Sequence, residues 1–275
     1  MALQSKTKLN NGVEIPILGL GVYQSRAGTE TRDAVRFALE VGYRHIDTAR
    51  IYGNEKDVGA AVRASGIPRS EIFVTTKLWN SDHGYDNAIR ACNDSLKRLG
   101  LDYIDLYLVH WPVEKSRLES WRALETLLAE GICRAIGVSN YMVRHLNELL
   151  AHCKVVPAVN QIEMNPYIYQ HFLDVVKMCR KEGVVVEAYS PLTKAQRLKD
   201  PRLIKIAEKY HKSAAQILIR WALQHEFVVI PKSAKAERIR ENADVFDFNI
   251  SDDEMAELDS FNEDLVTGWD PTHAP

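Results

Sequence analysis

Ile104-Asp105-Leu106-Tyr107-Leu108-Val109-His110, then Leu118, Trp121, Leu124 and Leu128 at helical spacing, then Ala135-Ile136-Gly137-Val138-Ser139: on this stretch the fold turns. The two outer runs are short and nearly continuously apolar, as strands buried on both faces are, and the segment between them carries one apolar helical stripe. Two such strands joined through a helix form a parallel pair, because a parallel connection needs a crossover. The alternation recurs along the chain. Ile17–Leu20, Arg44–Asp47, Phe73–Lys77, Ala158–Ile162, Val184–Ala188 and Val228–Ile230 complete a set of eight strands, and Ala34, Val35, Ala38 and Leu39 mark another helix. Eight units predict an α/β fold of the closed (β/α)8 TIM-barrel type rather than an open sheet.

Working outward, Thr7-Lys8-Leu9 and Val13-Glu14-Ile15 flank Asn10-Asn11-Gly12, where Asn-Gly supplies the positive φ angles of a tight turn, so an N-terminal β-hairpin is expected before the first unit. Extra helices are expected late, at 213–224 and at 252–260, the latter opened by Ser251-Asp252-Asp253-Glu254. The chain has 275 residues and no Gly/Ser-rich or Pro-rich linker, so residues 1–275 read as one barrel domain.

Lys plus Arg number 35 against 37 Asp plus Glu, a net charge of -2 that offers no field for nucleic acid or an anionic membrane. No run approaches a membrane span, and Met1 to Lys8 lacks the apolar core of a signal peptide, so a soluble cytoplasmic protein is expected. Cys92, Cys133, Cys153 and Cys179 are widely spaced without a CxxC, which favours reduced thiols over disulfides or a zinc site, and no metal is expected.

In a TIM barrel the C-terminal strand ends converge on one face. Here they read Asp47, Lys77, His110, Ser139-Asn140, Gln161, Tyr189-Ser190 and Lys232-Ser233. Each alone has a structural explanation as a cap, a solvated strand end or a core histidine. Seven together point to a pocket. Tyr52 lies five residues beyond Asp47, and a phenol beside a carboxylate suggests acid-base work. A Lys77 ammonium nearby is expected to lower the phenol's pKa, with Asp47 holding Lys77 charged and in place. His110, neutral or protonated, can donate a hydrogen bond to an oxygen that gains negative charge. Such a set protonates an alkoxide formed from a carbonyl but holds no reductant, so a hydride donor is implied. Gly19-Leu20-Gly21 lacks the third glycine of a dinucleotide fingerprint, and Gly137-Val138-Ser139-Asn140-Tyr141 fails the GxSxG pattern at its last position. A phosphate site is suggested instead by Lys232 and Ser233 ahead of a helix carrying Arg238 and Asn242 four apart on one face.

These residues resemble the aldo-keto reductase family. Gly42 to Glu55 is similar to its first signature, Thr75-Thr76-Lys77-Leu78-Trp79 to its lysine strand and Leu108-Val109-His110-Trp111-Pro112 to its histidine strand. Val159-Asn160-Gln161, Glu187-Ala188-Tyr189-Ser190-Pro191-Leu192 and Ile230-Pro231-Lys232-Ser233 follow in family order, so the likeness runs from Gly12 to about Leu258. The short prokaryotic and protozoan members, diketogluconate reductase and prostaglandin F synthase among them, look nearest.

The resemblance implies NADPH-dependent reduction of aldehydes and ketones with broad specificity, Tyr52 donating the proton, Lys77 and Asp47 tuning it and His110 orienting the carbonyl. It implies that Ser139, Asn140 and Gln161 hold the nicotinamide carboxamide, that Tyr189 stacks on the ring and that Ser190 and Leu192 follow the pyrophosphate. Asp47 would also touch the nicotinamide ribose, and Lys232, Ser233, Arg238 and Asn242 would bind the adenosine phosphate of NADPH. Tyr23, Trp79 and Trp111 would line an open mouth beside His110, because the connection from Pro112 to Trp121 is short. Trp269 reads equally as a fourth wall and as core packing. A monomer acting on a small carbonyl substrate is expected, and the alternative is a non-catalytic NADP(H)-binding subunit on the same fold. Two departures stand out: Met164-Asn165-Pro166 where many members have His before Pro, and Thr193-Lys194 where Gly commonly follows Ser-Pro-Leu.

Overall fold

The structure, a computed structural model, describes residues 1–275. Its strands are β1 (Lys6–Lys8), β2 (Glu14–Pro16), β3 (Leu20–Gly21), β4 (His45–Asp47), β5 (Phe73–Leu78), β6 (Ile104–Val109), β7 (Cys133–Ser139), β8 (Val159–Glu163), β9 (Val185–Tyr189) and β10 (Val228–Val229). β3 to β10 lie side by side in sequence order, every neighbouring pair parallel. The sheet closes on itself through parallel bridges from Leu18 to Val229 and from Gly21 to Lys232. The expected first strand, Ile17–Leu20, is therefore shared: its start pairs with the last strand and its end with β4.

The helices are α1 (Thr29–Val41), α2 (Glu55–Ala64), α3 (Tyr85–Leu99), α4 (Arg117–Ala129), α5 (Val143–His152), α6 (Leu173–Lys181), α7 (Pro201–Lys209), α8 (Ala214–Gln224), α9 (Ala236–Ala243) and α10 (Asp252–Asp259). Both expected late helices are present, but α8 packs on β10 as the ring helix of that unit, and the added helix in this connection is α7, which packs on α8. Its start is set by Pro201 in the first turn and by Asp200, which accepts from the Arg202 amide at 2.9 Å. At α10, Ser251 Oγ accepts from the Glu254 amide at 3.4 Å, while the Glu254 carboxylate turns to Lys209 and Tyr210 instead of closing the capping box.

One large apolar cluster fills the space between strands and ring helices, with Trp121, Trp221, Tyr107 and Tyr141 fully buried in it. Each buried Leu, Ile or Val there contributes about 1.5–3 kcal/mol. A smaller cluster fills the lower barrel, where Leu9 and Ile15 of the hairpin meet Phe73, Leu106, Leu108 and Val228. β1 and β2 thus plug the N-terminal end and leave the other end free for chemistry. Of the hairpin residues Asn10-Asn11-Gly12, only Gly12 takes a positive φ, 89°, with Leu9 N–H donating to Val13 O at 2.8 Å.

The Gly19-Leu20-Gly21 spacing has a packing cause. A Cβ on Gly19 would meet the His45 ring at 2.7 Å inside the barrel, and one on Gly21 would meet Ile230 O at 2.9 Å across the closing seam. The four cysteines are free, with Cys92 and Cys133 Sγ atoms 3.7 Å apart in the core. No helix is long and apolar enough to cross a membrane.

Candidate active site

Asp47 ends β4, and the chain then turns through a short 3-10 helix, Arg50–Tyr52, that places the Tyr52 ring over the barrel mouth. Lys77 sits on β5, where Thr75 pairs with Asp47, so the ammonium reaches across to the neighbouring strand end. Lys77 Nζ donates to both Asp47 carboxylate oxygens at 2.7 Å and to Thr48 O at 2.8 Å; Tyr52 Oη lies farther, at 3.5 Å. The three protons of the ammonium are therefore spent on Asp47 and Thr48, and Tyr52 feels the charge rather than a short hydrogen bond. His110 follows β6 edge-on to Tyr52, ring centres 5.9 Å apart.

The electrostatics correct one expectation. The Tyr52 phenol is held well above its ordinary range, first by burial and then by the Asp47 carboxylate, so in the resting site Lys77 does not lower it as the sequence suggested. Asp47 neutralises the ammonium it holds. Tyr52 consequently stays protonated, the form a proton donor needs. Burial, with Lys77 adding, holds His110 well below the usual imidazole range, so the ring is neutral. Of the two states left open for His110, the neutral one is occupied.

Ser139 Oγ donates to Gln161 O at 2.8 Å, Asn140 Nδ2 to His110 O at 3.0 Å, and Tyr189 Oη to Asn140 Oδ1 at 2.9 Å. Asn140 reaches this position through a positive φ of 63°, which Asn tolerates better than most residues. Gln161 Nε2 donates to Asp47 Oδ2 at 2.8 Å, joining this group to the tetrad of Asp47, Tyr52, Lys77 and His110. Ser190, at φ 47°, and Leu192 lie on the loop after β9. At the expected departure, Thr193, Lys194 and Ala195 take φ values of 51°, 48° and 67°, a left-handed turn that costs roughly 1–2 kcal/mol per residue. Lys194 Nζ donates to Thr267 O at 2.7 Å and so ties this loop to the C-terminal segment.

Lys232 and Ser233 follow β10, and α9 starts at Ala236, so Arg238 and Asn242 share one face of its first two turns. Lys232 and Arg238 are exposed, and neither has a carboxylate within ion-pair distance; Ser233 and Asn242 are buried beneath them. Free cations, a hydroxyl and an amide at a helix start suit a phosphate monoester. This patch lies beside the seam through the Gly21 to Lys232 bridge, apart from the tetrad.

The mouth is aromatic. Tyr23 packs on Tyr52 with ring centres 5.0 Å apart, Trp79 on His110 at 5.2 Å, and Trp269 on Trp79 and Trp111 at 5.9 and 5.8 Å. Trp269 is 64% exposed, so of its two readings the wall, not the core, is the one occupied. It is held there by Glu163, which ends β8 and accepts from the Thr267 amide at 3.1 Å and from Gly268 N–H at 3.3 Å.

Three residues around the site escaped the sequence reading: Glu187 and His45 on its inner side and Glu163 at the mouth. Glu187 Oε2 accepts from Gln161 Nε2 at 2.8 Å, and its Oε1 lies 3.4 Å from His45 Nε2. The signal was a charged residue inside an apolar strand, Val184-Val185-Val186-Glu187-Ala188, whose side chain has nowhere to point but the barrel interior.

Residues 18–263 match the model of the Aldo/keto reductase family. The chain is 49% identical to a 9,11-endoperoxide prostaglandin H2 reductase of Trypanosoma cruzi, over 96% of this chain and 93% of the relative. It is 48% identical to a glyoxal reductase of Bacillus subtilis, over 98% of this chain and 97% of the relative. Among solved structures, a Bombyx mori aldo-keto reductase in complex with NADP superposes with a TM-score of 0.91 at 38% identity, covering 97% of this chain and 95% of that one.

Proposed function

The chain belongs to the aldo/keto reductase family, and we propose that it is an NADPH-dependent carbonyl reductase of broad specificity, one barrel domain over residues 1–275, with Tyr52 as proton donor. The observation that carries this reading is the Tyr52 and His110 rings set edge-on over a buried Asp47–Lys77 pair, with burial holding the phenol above and the imidazole below their ordinary ranges. A bound nicotinamide would supply the hydride, and the NADP complex of the Bombyx mori relative supports that choice of cofactor.

The cofactor fits the donors present. Gln161 turns a carbonyl oxygen with no protein partner toward the cleft, Asn140 and Ser139 stand beside it, and Lys232 and Arg238 are unpaired cations for the adenosine phosphate. On the substrate side, His110 would donate to the carbonyl oxygen and aim it at Tyr52 Oη. As the carbonyl carbon accepts hydride, its oxygen becomes an alkoxide, a far stronger base than a phenolate, so the proton passes from Tyr52 even though the phenol is a weaker acid than in water. The phenolate left behind lies 3.5 Å from Lys77 Nζ, which stabilises it until solvent returns a proton through the cleft. Asp47 serves as Lys77's partner, accepting from its Nζ with both carboxyl oxygens, against a burial that pushes its own carboxyl up.

The names of the relatives favour small dicarbonyls and prostanoid endoperoxides as starting points, and the aromatic mouth suits apolar carbonyls. The test is NADPH consumption with methylglyoxal, aromatic aldehydes, keto sugars and quinones. Turnover of at least one class is expected, and no consumption with any of them would overturn the reading in favour of a non-catalytic cofactor-binding role.

A further inference from the structure

Beneath the tetrad, inside the barrel, lies a carboxyl to which the proton transfer assigns no part. Glu187 on β9 is fully buried, with His45 and Asp47 from β4, the Tyr52 phenol, Lys77 from β5 and Gln161 from β8 around it. The Gln161 side chain spans the space between two acids. One N–H of its Nε2 goes to Asp47 Oδ2 at 2.8 Å and the other to Glu187 Oε2 at 2.8 Å.

An amide has one donating end and one accepting end. Turned over, Gln161 would set its carbonyl oxygen against the Asp47 oxygen that Lys77 also holds and would lose the hydrogen bond made there, so the orientation with the N–H groups facing the acids is the stable one. Asp47 alone occupies one of the two N–H groups and leaves the amide free to swing about that bond, with the other N–H buried and unpaired, a loss of about 1–3 kcal/mol.

We propose that Glu187 is a positioning residue of this site: by taking the second N–H of Gln161 it points the amide's carbonyl oxygen into the cleft, where that oxygen receives the N–H of the cofactor's carboxamide. The inference rests on the NADPH reading above and adds to it a residue buried behind the cofactor rather than touching it. It also defines which form of Glu187 acts. Burial, with the Asp47 charge adding, pushes the Glu187 carboxyl up to about 8, and burial takes the His45 ring down to about 3, so both are neutral near pH 7. One ammonium faces two carboxyls, and the one without its hydrogen bonds keeps a proton. A protonated Glu187 that accepts from Gln161 and turns its O–H toward His45 has the shape and polarity of a glutamine.

Variants at Glu187 and Gln161 and two ligands test this. Glu187→Met removes the acceptor and Glu187→Gln restores it. Binding is read without turnover, by quenching of tryptophan fluorescence, for NADPH and for the adenosine bisphosphate half of NADP, which lacks the nicotinamide. Glu187→Met is expected to weaken NADPH about tenfold, the size of one lost hydrogen bond, and to leave the adenosine fragment unchanged, while Glu187→Gln restores NADPH to within about twofold of wild type. In a Gln161→Met background, Glu187→Met is expected to add nothing. Equal weakening of both ligands, unchanged NADPH binding in Glu187→Met, failure of Glu187→Gln to restore it, or additive losses with Gln161→Met would each overturn the inference. Wild-type protein that binds neither ligand would instead overturn the NADPH reading, and this inference with it.

Discussion

The two ends of the proposed cofactor cleft are built on opposite principles. At the tetrad, Asp47, Lys77, Gln161 and Glu187 are buried and locked to one another by hydrogen bonds of 2.7–2.8 Å. At the far end, Lys232 and Arg238 stand exposed with no partner. The first arrangement must be complete before a substrate arrives, because proton transfer depends on placement to a fraction of an ångström. The second only has to attract, and flexible cations in water do that at little cost to folding. The difference separates a geometry fixed by buried hydrogen bonds from a charge left free in solvent.

The strongest way to break this comparison is Tyr52→Phe. Losing the general acid is expected to lower kcat for aldehyde reduction by about 10³-fold while NADPH binding stays near wild type, and near-normal kcat would remove Tyr52 from the chemistry. Next, neutralising Lys232 and Arg238 together is expected to raise the Kd for NADPH about 10²-fold, with NADH little changed and kcat at saturation preserved. Wild-type binding should weaken with added salt and the double variant's should not; a fall in kcat or an equal loss for NADH would blur the two ends into one. At the mouth, Trp269→Ala removes a wall that touches neither end. The KM for an aromatic aldehyde is expected to rise about tenfold with methylglyoxal nearly unaffected.

The smallest effect concerns the cost of the locked end. Glu187 holds its proton more tightly folded than unfolded, about 8 against 4.5. Its contribution to stability is therefore complete below the unfolded value and is lost as pH rises through about 8. Glu187→Gln carries no such titration, so between about pH 6 and 9 the difference in Tm should shift by a few degrees in the variant's favour. Parallel Tm curves would show that Glu187 is not held neutral.

The barrel was legible because period and hydropathy are local properties: each strand of the β6–β7 unit declares itself, and polar residues at strand ends follow from the architecture. The tetrad was legible for the same reason, as were the hairpin and the start of α10. What the sequence hid was everything decided by distance across the barrel. The number of partners Lys77 holds depends on Thr48 O and on both oxygens of Asp47, and the raised rather than lowered phenol of Tyr52 on its burial and then on the Asp47 charge. Glu187 reads as one odd residue in an apolar run until β8 and β9 stand side by side and Gln161 is opposite it. Trp269, near the chain's end, could be placed only by the grip of Glu163 on Thr267 and Gly268. Likewise the helix at 213–224, expected as an added one, packs on β10, because amphipathicity shows that a helix packs, not on what.

The barrel's closure also bears on how the molecule comes apart. Backbone hydrogen bonds from Gly19 to Val229 O, from Val229 to Ile17 O and from Gly21 to Pro231 O join the first strand to the last, whereas β6 and β7 are paired at five positions. The seam, like β3–β4, β7–β8 and β9–β10, is held at only two paired positions, which makes it one of the barrel's weaker joins, and Lys232 sits at its upper end. A phosphate bridging Lys232 and Arg238 would act as a clasp on it, so amide hydrogen exchange at Gly19, Gly21 and Val229 should slow on cofactor binding more than at Ile136 or Val138. The patch that recognises the ligand would then double as the place where the ligand keeps the barrel shut.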